Sequence, residues 1–130
     1  MTTTAASSPL DRLKPCPRNP NCVSTLAAPG SSKHMDPIPY SGSLDQARAQ
    51  LLTVLKLHPR TRIVGEEQHY VKAECRSRLF RFVDDVEFVL DDTVKQIHFR
   101  SASRLGRKDF GVNRNRMEQI RAAFLGQAPR

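Results

Sequence analysis

Between Pro59 and Ser101 the apolar residues abandon a helical period and begin to alternate, and this change limits what the chain can build. Val71, Ala73 and Cys75 alternate with polar residues in the run His69–Arg76, and Val86, Phe88 and Leu90 do the same in Asp85–Leu90. A period of two marks a strand that turns one face to a core and the other to water. Lys95–Ser101 is a third run, with Ile97 and Phe99 apolar, and the strand-like stretch Thr61–Glu66 makes a fourth strand. One hairpin is expected around Glu67-Gln68 and another at Asp91-Asp92.

A helix is expected on each side of these strands. Ser43 followed by Gln46 has the spacing of a capping box, and Leu44, Ala47, Leu51, Leu52 and Leu55 form one apolar stripe that Pro59 ends. A second helix is expected from about Asn113 to Leu125, with Met117, Ile120 and Phe124 on one side and Gly126 and Pro129 closing it. A sheet with one apolar face and two amphipathic helices must bury those surfaces together. The expected fold is therefore α+β: a two-layer sandwich, a four-stranded antiparallel sheet with both helices on one face.

The rest of the chain is less regular. Residues 1–15 are rich in Thr, Ser and Ala and read as a disordered leader. Residues 16–42 are rich in proline and lack periodicity; they read as an irregular arm ending in a short extended piece at Asp36–Tyr40. One domain over 16–126 follows, with its core in 43–126 and a tail at 127–130. No run of apolar residues approaches a bilayer span. The N-terminal stretch has neither the basic nor the apolar region of a secretory signal, so the cytosol is the expected compartment.

The formal charge of +8 is unevenly spread. Arg100, Arg104, Arg107, Lys108, Arg114 and Arg116 stand against Asp109 alone in the segment 100–116, whereas 36–99 is nearly balanced. A local excess of this kind suits an anionic partner. Gly106 and Gly111 suggest backbone turns there, and Asp109 and Asn113 are candidate caps for the final helix. Arg100, Ser101, Ser103, Arg104, Asp109, Asn113, Arg114 and Arg116 are thus candidates to hold a small anion or acidic headgroup. The competing reading makes the same residues a structural latch against Asp84, Asp85 and Glu87. Sequence-specific nucleic-acid binding is not expected, because only Phe110 interleaves the arginines and a stacking platform is lacking.

Pairing Phe88 with Ile97 would set Asp85 across from Arg100 and Glu87 across from His98 on the face away from the core. Such opposed charges support a ladder. A hydrolase-like site of Asp85, Glu87 and His98 is the catalytic alternative, although no nucleophile can be tied to His98. Binding is favoured over catalysis, and no cofactor is expected. Cys16 and Cys22 read as reduced thiols, with a disulfide or a metal site shared with His34 as alternatives. Cys75 reads as a core residue.

Three stretches carry a resemblance: Cys16-Pro-Arg-Asn-Pro-Asn-Cys22-Val-Ser24, Tyr70 with Ser77–Phe88, and Arg100–Arg116. On these the chain resembles the family known as domain of unknown function 1499, from Cys16 to about Phe124. The resemblance implies the limits of the domain and no particular activity; some relatives look exported or membrane-associated.

Overall fold

Helix α1 (Leu44–Leu57) begins where its capping box stands. The Ser43 hydroxyl accepts from the Gln46 amide at 3.1 Å, and the Gln46 side chain accepts from the Ser43 amide at 3.0 Å. The helix ends one turn-residue before Pro59, and Ala47, Leu51, Val54 and Leu55 form its buried stripe. The computed structural model describes residues 8–18, 21–78, 82–105 and 111–126. The expected tail at 127–130 and the first seven residues of the leader lie outside the described residues.

Strands β3 (Thr61–Glu66), β4 (Tyr70–Arg76), β5 (Val83–Asp91) and β6 (Gln96–Ser103) form the expected antiparallel meander. The sheet is nevertheless larger than four strands. The arm adds β1 (Cys22–Ser24) and β2 (Ile38–Pro39), which both pair antiparallel with β6 and lie one after the other along its edge. The order is β1-β6-β5-β4-β3, with β2 beside β6. Two- and three-residue strands are too short to show a period, which is why the arm reads as irregular.

Helix α2 (Val112–Gly126) packs with α1 on the inner face of the sheet. Phe88, Phe99, Leu90, Ile97, Val71 and Val86 from the strands meet Leu51, Leu55, Met117 and Ile120 from the helices, all fully buried. The outer face is partly covered as well. Pro9–Arg12, inside the expected leader, is a turn of 3-10 helix, and Leu10 and Leu13 pack on Tyr70 and Val89. Val89 on the outer side of β5 is consequently buried as well.

The register of the β5–β6 hairpin differs from expectation. Phe88 stands opposite Phe99, Leu90 opposite Ile97, and Glu87 opposite Arg100. The connection is four residues, 92–95, with Lys95 in the left-handed region at φ 56. It is fastened by Asp92, which accepts from Tyr40 Oη at 2.7 Å and Lys95 Nζ at 2.9 Å. A slip of two residues keeps every side chain on its own face, so alternation alone could not choose between the two pairings. The β3–β4 hairpin also turns one residue later than expected. Glu67 and Tyr70 exchange backbone hydrogen bonds, leaving Gln68-His69 as the turn.

The capping box of α1 is exposed and otherwise unsupported. Ser43→Ala is expected to destabilise the domain by about 1 kcal/mol; urea unfolding followed by circular dichroism checks this.

Candidate functional site

The described arginines of the segment 100–116 do not converge on one place; they divide among three. The first is inside the protein. Arg116 Nη2 donates to Asp84 Oδ2 at 2.7 Å, and the two side chains are 8% and 9% exposed. Arg116 Nη1 also donates to Asn113 Oδ1 at 2.8 Å and Ser101 Oγ at 3.2 Å. Ser101 Oγ donates to Asn113 Oδ1 at 2.6 Å, while Asn113 Nδ2 donates to Ser103 Oγ at 3.1 Å and to the Asn21 carbonyl at 3.0 Å. Asn113, a candidate cap, instead sits within the first turn of α2 with its amide committed to this network. An ion pair taken from water persists only when its remaining donors and acceptors are answered, and here they are.

The second place is the outer face of the sheet. Arg104 forms a fork on Asp85, Nε to Oδ2 at 2.9 Å and Nη2 to Oδ1 at 3.0 Å, and Nη2 also reaches Glu74 at 2.8 Å. These contacts, the Asp85 hydrogen bond above all, raise the Arg104 pKa. Arg100 lies 3.6 Å from Glu87, with the side chains 16% and 15% exposed, and Arg100 Nε is buried without a partner. The other Glu87 oxygen accepts from Tyr70 Oη. Burial first, and Glu87 second, push the Tyr70 phenol well above its usual range. Arg12 caps this cluster, its guanidinium 3.9 Å from the centre of the Tyr70 ring and its Nη1 2.7 Å from Glu67.

The hydrolase-like grouping is not assembled by these contacts. Asp85 is engaged by Arg104, and Glu87 by Tyr70 and Arg100. His98 stands opposite Val89, not Glu87, and its Nδ1 lies 2.9 Å from Thr25 Oγ1. That hydroxyl accepts from the Phe99 amide at 3.1 Å and contacts the Phe99 carbonyl at 3.4 Å, so it is tied to the β6 backbone rather than presented to a substrate. Cys75 is buried on the inner face, and desolvation raises its thiol pKa. The expected pairings of Asp85 with Arg100 and Glu87 with His98 are both replaced, for the register reason given above.

The third place is where the arm meets α2. Arg114 Nη2 donates to the Ser32 and His34 carbonyls at 2.6 and 3.2 Å. Lys33 Nζ donates to the Arg18 carbonyl at 3.1 Å. With Arg18, Cys22, Val23, Ser32 and Gly111 they line a cleft of about 390 Å³. Gly111 precedes α2 with φ 81, a conformation that a side chain would strain. Arg18, Lys33 and Arg114 have no carboxylate partner among the described residues. Arg18 and Lys33 escaped the sequence reading because they belong to the arm, where charge density is ordinary. Gly106, Arg107, Lys108, Asp109 and Phe110, which include the candidate ligand residue and cap Asp109, lie outside the described residues.

Cys16 and Cys22 are joined by a disulfide, S–S 2.05 Å, which corrects the reduced-thiol reading. The bond closes the loop that carries Arg18. Among the described residues no group of three or more His, Cys, Asp or Glu side chains is placed to hold a metal. Nor is any described helix long and apolar enough to cross a membrane.

The architecture is that of a two-layer α+β domain with a disulfide-tethered arm along the sheet edge. The chain matches, over residues 12–124, the model of the family described as "Protein of unknown function (DUF1499)", and it belongs to that family. No curated protein gives a match.

Two outcomes are expected. Arg116→Met leaves Asp84 buried and uncompensated, and should cost about 3–5 kcal/mol in urea unfolding; replacing Asp84 by Asn as well should restore part of the loss. Desolvation lowers the His98 pKa below its ordinary 6.5, so its contribution is fully present above 6.5 and is lost as pH falls through the lowered value. Histidine resonances followed by NMR should place His98 below 6.5, and His98→Gln should flatten the loss of stability between pH 7.5 and 5.

Proposed function

We propose that this domain binds a small anion or acidic headgroup in the cleft between the arm and the start of α2, through Arg18, Lys33 and Arg114. The observation that carries the reading is the charge balance of that cleft: three cations line it, and none has a carboxylate partner among the described residues. Arg114 and Lys33 are held in place by backbone carbonyls, which fix a cation without neutralising it. The first turn of a fifteen-residue helix adds the positive end of its dipole. Arg100, Arg104 and Arg116, each engaged by a carboxylate, serve the fold instead. The segment 100–116 is on this reading mostly a latch, and Arg114 is its contribution to binding.

The disulfide supports an oxidising compartment over the cytosol, since thiols are kept reduced in the latter. It also holds Arg18 close to the cleft, so binding should weaken on reduction.

The experiment is a thermal-shift titration with inorganic phosphate and sulfate at constant ionic strength. The native protein should gain stability in a saturable manner. An Arg18→Gln/Lys33→Gln variant should melt near the native temperature in the absence of anion and lose that gain. An equal gain in variant and native protein, or none in either, would sink the proposal.

A further inference from the structure

A second basic surface lies at the opposite edge of the sheet, in a part of the chain whose overall charge is nearly balanced. The end of α1, the start of β3 and the end of β4 enclose a groove of about 660 Å³ lined by Lys56, Arg60, Arg62, Arg76 and Arg78, with Glu74 as its acidic residue. Glu74 is already engaged by Arg104 at 2.8 Å and Arg76 at 3.8 Å. Lys56, Arg62 and Arg78 are exposed and have no carboxylate partner among the described residues. Lys56 answers the negative end of the α1 dipole, which leaves four guanidinium groups around the groove.

Two features make this more than a solvated face. Arg60, the residue before β3, lies beside Arg76 at the end of β4: Arg76 N donates to the Arg60 carbonyl at 3.0 Å, and Arg60 Nε donates to the Arg76 carbonyl at 3.3 Å. Like charges set side by side at the end of a ladder disfavour that approach. Arg60 also holds φ 51, a left-handed conformation that glycine or asparagine would adopt at lower cost. The chain thus keeps an arginine where both the electrostatics and the backbone disfavour it.

We propose that this groove binds a ligand bearing several phosphate groups, either a free oligophosphate or a phosphorylated lipid headgroup. Planar guanidinium groups match phosphate oxygens in pairs, and four of them around one groove call for more negative charge than a single small anion carries. The volume is that of a small-molecule site. Among the described residues the lining contains no Phe, Tyr or Trp on which a base could stack, which disfavours single-stranded nucleic acid. The site is separate from the cleft at α2 and does not depend on it.

The test compares the native protein with an Arg62→Ala/Arg78→Ala variant, whose altered side chains make no hydrogen bond or ion pair among the described residues. Tripolyphosphate binding is measured by calorimetry, and sedimentation is measured with phosphatidylcholine vesicles with and without phosphatidylinositol bisphosphate. The native protein should bind in at least one arm, more weakly as salt rises, and the variant should lose about tenfold or more in affinity at an unchanged melting temperature. Loss with tripolyphosphate assigns a soluble ligand, and loss confined to the phosphoinositide vesicles assigns the lipid. The loss caused by the groove substitutions should be equally large when Arg18→Gln and Lys33→Gln are already in place, because the two sites are separate. No binding by the native protein, equal binding by the variant, or tighter binding of a single-stranded oligonucleotide than of tripolyphosphate would overturn the proposal.

Discussion

The buried pair of Asp84 and Arg116 organises the region where four parts of the chain meet. Asp84 lies on β5, Ser101 and Ser103 on β6, Asn113 and Arg116 on α2, and Asn21 on the arm just before β1. A guanidinium withdrawn from water needs a counter-charge and further acceptors, so none of these pieces can move without exposing a cost in another. The network occupies the inner face of the sheet, next to the apolar core, and so fixes where α2 begins. Asn113 and Arg116, three residues apart, look inward with Met117 and Ile120. Arg114 is two residues from Arg116, about 200° around the helix, and must face another way. That geometry sends one arginine of the segment into the core and another towards the arm.

Charge on the outer face is answered in a different manner. Arg104 bridges Asp85 and Glu74 on two neighbouring strands, and Arg100 and Tyr70 share Glu87. The 3-10 turn then lays Leu10 and Leu13 over Tyr70 and Val89, with Arg12 across the ring. Because the central carboxylates are consumed there, two groups of cations among the described residues fall at the margins. One margin is the cleft of Arg18, Lys33 and Arg114; the other is the groove at Arg60, Arg62, Arg76 and Arg78. Among the described residues neither contains an unengaged carboxylate to neutralise it, and both are open to solvent.

The arm connects these levels. Its two short strands extend β6, Asn21 enters the buried network, and the disulfide between Cys16 and Cys22 closes a loop beside the α2 cleft. A segment with little apolar content of its own is thereby held by backbone pairing, one covalent bond and polar contacts. Such a segment gains its order from the surface it lies on, not from a core it could build.

The sequence by itself determined both helices, the four-strand meander and the core-facing side of β4, β5 and β6, because period and capping are local properties. Ser43 with Gln46, the leucine stripe of α1 and the alternation of Val86, Phe88 and Leu90 each state their structure within a few residues. The sequence also pointed to the segment 100–116 as one where charge mattered, and its latch reading named Asp84, Asp85 and Glu87 as partners. Tertiary structure alone decided the pairing of Glu87 with Arg100, since a slip of two residues leaves every face unchanged and only the four-residue turn fastened by Asp92 and Tyr40 selects one register. It alone brought Arg18 and Lys33 to Arg114, and Arg62 to Arg78, because charges distant in sequence or spread among acids show no local excess. Local patterning reports which way a side chain faces; which other side chain it meets depends on how distant segments pack.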